Sequence, residues 1–216
     1  MSGETIRRSP TADRILQAAA ERIATRGYAA TSTREIAASV GIEQPAIYKH
    51  FSSKRDILAA LVRVALERPI ELIDVLAGVQ GPAVVKLCRW LLESFEYLNS
   101  FPNVLASIII TPELQEEPFA DEQALVSKFE PAIVDLIERA QDEGDVRELN
   151  PVSAARLIQA MFDAVAFPAL AVNPDEIVEF ALTALLEDPS RLPEIRLAAA
   201  ALNTDGVPLS GDAKQA

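Results

Sequence analysis

The sequence predicts an all-α protein in which an N-terminal three-helix unit precedes a larger helical body. Three observations lead to this fold class. Apolar residues recur at three- and four-residue spacing over most of the chain, the period of a helix with one buried face. Half of the 216 residues are hydrophobic and only 8 are glycine, a composition that suits helices better than loop-rich sheets. Segment boundaries carry Gly81-Pro82, Phe101-Pro102, Asn150-Pro151 and Asn173-Pro174, the signals that stop and restart helices. Alternating apolar–polar runs between turns, which mark strands, are absent.

The elements follow in order. Residues 1–10 read as a flexible arm, and a first helix spans about Thr11–Arg26, with Ile15, Ala19 and Ile23 on one face and Gly27 at its end. Ser32 and Glu35 stand in the capping-box relation, in which each side chain serves an unpaired backbone N–H at the start of a second helix. Ile36, Ala37 and Val40 form its apolar stripe, and Gly41 supplies the left-handed residue that ends it. Pro45 sits at the start of a third helix, where its missing N–H costs nothing. Ile47 and Phe51 face the core from that helix, leaving Gln44, Ala46, Tyr48, Lys49 and His50 around its exposed side. A fourth helix begins after Ser53, which caps with Asp56, and runs to about Glu67, with an interruption at Pro69. Further helices are expected at 82–99, 102–111, 121–143, 151–171 and 174–187, with a short one at 193–202. Residues 203–216 read as a disordered tail. The domains implied are 11–55 for the three-helix unit and 56–202 for the body.

Two short helices joined by a glycine turn form a helix-turn-helix, whose second helix presents side chains to base edges in the DNA major groove. Charge agrees with that reading. The chain carries −12 overall, yet residues 1–68 hold eleven Lys/Arg against seven Asp/Glu, while the remainder holds nine against twenty-five. Phosphate binding responds to the local field, so a basic end on an acidic body points to duplex DNA as the partner of the basic end. Other classes are disfavoured. The metalloprotease, P-loop and dinucleotide-binding motifs are missing, and one His and one Cys leave little for nucleophilic catalysis. The single histidine lies in the helix-turn-helix, so neither a histidine-based metal site nor any cofactor is expected. No apolar run reaches the ~20 residues of a membrane span. The start, MSGETIRRSP, lacks the apolar core of a signal peptide. Lone Cys88 rules out an internal disulfide and fits a reducing cytoplasm; it reads as a small buried hydrophobe.

The chain resembles the tetracycline-repressor (TetR) family of transcription regulators. The resemblance rests on Ala24-Thr25-Arg26-Gly27-Tyr28, Thr31 to Ala37, Val40-Gly41, Ile47-Tyr48-Lys49-His50-Phe51 and Ser53-Lys54. It covers about fifty residues and is specific in combination. It implies that Thr33 and Arg34 meet a phosphate and a base edge. Gln44 would pair with adenine, and Pro45 and Ala46 would meet thymine methyls. Tyr48, Lys49 and His50 would hold the DNA backbone, and Lys54 would clamp a phosphate. Glu43 departs from the Ser or Thr often found there and caps the third helix less readily.

The resemblance further implies a body that binds a small-molecule effector and forms a homodimer. Its dimer face would be the helices at 151–171 and 174–187, placing two readers about one DNA turn apart on a palindromic operator. Trp90, Leu91, Ser94, Phe95, Ile108, Phe129, Phe162 and Phe167 are the candidate effector-site residues, and their character points to a mainly apolar effector. The expected function is a ligand-released repressor. The alternatives are a ligand-independent DNA-binding or protein-interaction module and an activator of the same family.

Overall fold

The computed structural model describes residues 9–100, 108, 111–115, 119–166 and 172–202. Within these, α1 is Pro10–Arg26, α2 Thr33–Val40, α3 Gln44–Ile47, α4 Lys54–Gly78 and α5 Ala83–Asn99. The chain continues through a 3₁₀ turn at Pro112–Gln115 into α6 (Ala120–Asp142), α7 (Pro151–Ala166), α8 (Pro174–Leu185) and α9 (Leu192–Ala201). The described residues contain no strand beyond an isolated bridge between Val146 and Leu186.

The N-terminal unit closes on aliphatic side chains. Ile15, Leu16, Ala19, Ala20 and Ile23 of α1 are buried, as are Ile36, Ala37 and Val40 of α2 and Ile47 of α3. Each large aliphatic side chain removed from water contributes about 1.5–3 kcal/mol. The capping box is complete: the Ser32 hydroxyl accepts from the Glu35 N–H, and the Glu35 carboxylate accepts from the Ser32 N–H at 3.0 Å. Gly41 ends α2 in the left-handed conformation at φ 74° and ψ 31°, with its N–H turned back to the Ala38 carbonyl. A side chain there would be strained.

The third helix is shorter than its sequence pattern suggests. Regular α-helix covers only Gln44–Ile47, and Tyr48, Lys49 and His50 occupy a turn. The Lys49 and His50 N–H groups reach back three residues, to Ala46 and Ile47, as 3₁₀ turns do. Glu43 stands at the N-cap without a side-chain cap bond.

The interruption expected at Pro69 does not occur. Helix α4 runs unbroken to Gly78 with Pro69 buried inside it. The missing N–H and ring clash of an interior proline cost about 3 kcal/mol, but beyond it Leu72, Ile73 and Leu76 are buried and offset that cost. Helix α5 is central, packing against α4, α6, α7, α8 and α9. Between α6 and α7 the Arg147 N–H donates to the Leu185 carbonyl, and the Arg191 guanidinium pairs with Asp145. The helix expected at 102–111, apart from helical Ile108, lies outside the described residues, as do 1–8, 167–171 and 203–216.

Candidate nucleic-acid interface

Three of the sequence-selected residues form a connected outer face on the N-terminal unit. The Gln44 amide donates to the Thr33 hydroxyl at 2.9 Å and to the Tyr48 hydroxyl at 3.3 Å, and the Thr33 and Tyr48 hydroxyls lie 3.5 Å apart. Hydrogen bonds from Thr33 and then Gln44 hold the Tyr48 phenol below its ordinary pKa. Tyr48 is 50% exposed, so this contact leaves half of its ring open to solvent. Arg34, Pro45, Lys49 and His50 are exposed around the cluster and Ala46 is half-buried. The His50 Nδ1 lies 3.3 Å from the hydroxyl of Ser9, the cap of α1.

Lys54 does more than sequence reasoning assigned to it. Its ammonium donates to the carbonyls of Tyr28 and Thr31 at 2.9 and 2.8 Å and lies 4.1 Å from the centre of the Tyr28 ring. It therefore fastens the first turn of α4 to the loop between α1 and α2. Three arginines also brace that unit, and sequence reasoning missed them. Arg14 donates to the Val40 carbonyl at 2.7 Å, Arg22 to the Ser39 hydroxyl at 2.7 Å, and Arg26 to the Glu35 carboxylate at 3.4 Å. Bonding to the Ser32 side chain and backbone, more than the nearby arginines, holds the Glu35 carboxyl below its ordinary pKa. The spacing of arginines along α1 was the available signal, since Arg14, Arg22 and Arg26 stand eight and four residues apart, about two turns and one turn of the same helix.

In the body, the structure gathers most of the candidate effector-site residues around Trp90. Phe162 meets Trp90 nearly edge-on at 5.7 Å and stacks on Phe95 at 4.0 Å. Phe129 completes the group at 5.8 Å from Trp90 and 6.0 Å from Phe162. Leu91 and Ser94 are buried on the same helix, Ile108 packs against the core half-buried, and Phe167 lies outside the described residues. The Trp90 indole N–H donates to the Pro69 carbonyl at 2.9 Å, tying α5 to the proline turn of α4. Cys88 is buried, and desolvation pushes its thiol up to about 11.

Helices α7 and α8 leave apolar surface uncovered. Leu157 and Phe180 are 64% and 67% exposed, while Ala154, Ala155, Ile158, Ile177, Ala181 and Leu185 are buried within the chain. A groove of about 210 Å³ between these helices is lined by residues including Leu149, Leu157, Met161 and Ala184. No helix among the described residues is long and apolar enough to cross a membrane.

A capped helix, a left-handed glycine turn and a short helix with exposed polar groups define a helix-turn-helix DNA-binding regulator. Comparison with known proteins agrees and gives the family. Residues 15–61 match the family model described as bacterial regulatory proteins, tetR family. The crystal structure of Mycobacterium smegmatis AmtR is 30% identical, with a TM-score of 0.75 over 96% of this chain and 98% of that one. The chain belongs to the TetR family of transcription regulators. The ketosteroid transcriptional regulator KstR2 of Mycobacterium tuberculosis shares the fold, at 20% identity and a TM-score of 0.70 over 82% of this chain and 95% of that one. So does AibR, solved with isovaleryl coenzyme A and operator DNA, at 21% identity and a TM-score of 0.64 over 82% and 98%. An uncharacterized HTH-type regulator of Bacillus subtilis, YvkB, is 38% identical over 53 residues, a match that spans 24% of this chain and 28% of that relative.

Proposed function

We propose that this regulator is a homodimeric repressor that binds a palindromic operator through residues 11–55 and is released when a small, mainly apolar effector enters the body at 56–202. The connected Thr33–Gln44–Tyr48 face carries the DNA reading. Side chains already bonded to one another lose little freedom on meeting DNA, and preorganisation of this kind favours binding. Gln44 then exchanges one internal bond for an adenine edge, and Thr33 and Arg34 meet the adjoining phosphate and base. Pro45 and Ala46 offer apolar surface to thymine methyls, while Tyr48, Lys49 and His50 hold phosphates. An ammonium has three donors; two of those on Lys54 serve Tyr28 and Thr31, and the third is assigned to phosphate.

The uncovered apolar surface of α7 and α8, with Leu157 and Phe180 at its centre, supports the homodimer. The aromatic group around Trp90 supports an apolar effector, and the relative AibR, solved in complex with isovaleryl coenzyme A and operator DNA, supports a body that takes a small molecule. Its site of action is the cytoplasm. Light scattering tests the assembly: a mass of two chains is expected alone and two chains per duplex on a palindrome. The double variant Leu157→Glu/Phe180→Glu should yield monomers with weakened operator binding. A wild-type monomer that binds one half-site as tightly as the full palindrome would refute the dimeric reading.

A further inference from the structure

Beside the aromatic group around Trp90 lies a buried cation with open hydrogen-bonding capacity. Arg68 is only 7% exposed, and neither of its terminal nitrogens has a hydrogen-bond partner. The Glu93 carboxylate is 3.6 Å from Nη2, close enough for attraction and too far for a hydrogen bond. Arg89 pairs with the other oxygen of Glu93, so that carboxylate is shared between two guanidinium groups. A buried guanidinium whose terminal donors make no hydrogen bond is costly, and an arriving group that fills those donors recovers that cost.

The surroundings narrow the ligand. Arg68 precedes Pro69, whose carbonyl accepts the Trp90 indole N–H. The buried Ser94 hydroxyl, one turn along α5 from Trp90, also lacks a partner. So does the Gln159 amide nitrogen, which sits one turn before Phe162 on α7. These open polar groups lie along the elements that carry the aromatic cluster. Arginine donates and never accepts, so the matching group is an acceptor-rich anion. A carboxylate meets the flat guanidinium through two parallel bonds.

We propose that Arg68 reads a carboxylate on the effector, with the aromatic group around Trp90 receiving the apolar remainder. The assignment rests on the effector reading above and adds the charge and head group of the ligand. It also supplies a route to the DNA face. Arg68 lies on α4 beside the proline where one backbone bond of that helix is missing, and the first residue of α4 is the Lys54 that holds the α1–α2 loop. An anion that draws Arg68 to itself acts on α4 at its least reinforced turn.

Thermal unfolding of the full chain without DNA tests the proposal, using straight-chain acids from butanoate to decanoate, the matching primary amides, and inorganic phosphate as probes. At least one acid should raise the melting temperature in a saturable way while its amide does not. Arg68→Met should weaken the apparent affinity for that acid at least tenfold. Glu93→Gln, which removes the competing carboxylate, should tighten it several-fold, a gain that a damaged fold cannot give. Equal responses to acid and amide, no response to any acid, a response to phosphate alone, or an unchanged affinity in Arg68→Met would each overturn the proposal. Because the assay contains no DNA, its failure is separable from failure of operator binding.

Discussion

The head and the body of this chain solve the problem of polar side chains in opposite ways. In the head, Thr33, Gln44, Tyr48 and Lys54 bond to one another or to nearby backbone, and the groups beyond them stay exposed. In the body, polar groups such as Arg68 and Ser94 are shut in beside an aromatic cluster without hydrogen-bond partners. A surface of satisfied donors with exposed cations around it is prepared for a highly charged macromolecule that supplies its own fields. An apolar interior with open donors is prepared for a small molecule that must be desolvated first. The proposed function gives each half its own partner.

The body should show the larger response to substitution. Phe162→Ala removes a ring that stacks on Phe95 and touches Trp90 and Phe129. Urea unfolding should show a loss of about 3–5 kcal/mol, as for other large-to-small core changes. A loss below about 1 kcal/mol would mean that the cluster yields without cost and that the division between the halves is overdrawn.

In the head, binding should change while stability stays. Lys49→Ala is expected to lower affinity for operator and for random duplex alike, and to flatten the dependence on salt by about one unit of slope. Gln44→Ala should instead act unevenly across sequences, costing about 1–3 kcal/mol at one base position. Competition titrations at several salt concentrations distinguish the two behaviours.

Smaller effects belong to the frame. Ser32→Ala should destabilise the chain by about 1 kcal/mol through loss of the cap on α2. The Glu35 carboxyl of the same box is held below its ordinary value of 4.5. Its contribution is therefore complete above that value and lost as the pH falls below it. A Glu35→Gln chain should lose less stability than wild type over that acid range in parallel denaturation curves. Smallest in its effect on function is Cys88, whose buried thiol is pushed up to about 11. A thiol reagent at neutral pH should label it slowly in the native chain and promptly in urea, because the thiolate is the reactive form.

The head was more legible from the sequence than the body because its determinants are local. Ser32 and Glu35 are three residues apart, Gly41 directly follows the helix it ends, and Ser53 caps with Asp56; all three features stand in the structure. Local rules erred where distant packing decides. Pro69 by itself signals a break, and nothing near it in sequence announces that Leu72, Ile73 and Leu76 will be buried and that Trp90 will bond to its carbonyl. Lys54 read as a phosphate clamp alone because its partners within the chain, the carbonyls of Tyr28 and Thr31, belong to another segment. The aromatic group was legible as a list of residues, while its arrangement around Trp90 and the unfilled terminal donors of Arg68 required coordinates.

The central claim is that the Thr33–Gln44–Tyr48 face reads duplex DNA as a symmetric pair. Selection from a randomised duplex library by the purified chain, run beside a Gln44→Ala/Tyr48→Ala variant, tests it most directly. Wild type should enrich a palindrome whose half-sites are about one helical turn apart, roughly 34–36 Å, and the variant should enrich none. Recovery of the same palindrome by both proteins, or of no sequence by wild type at low and moderate salt, would contradict it.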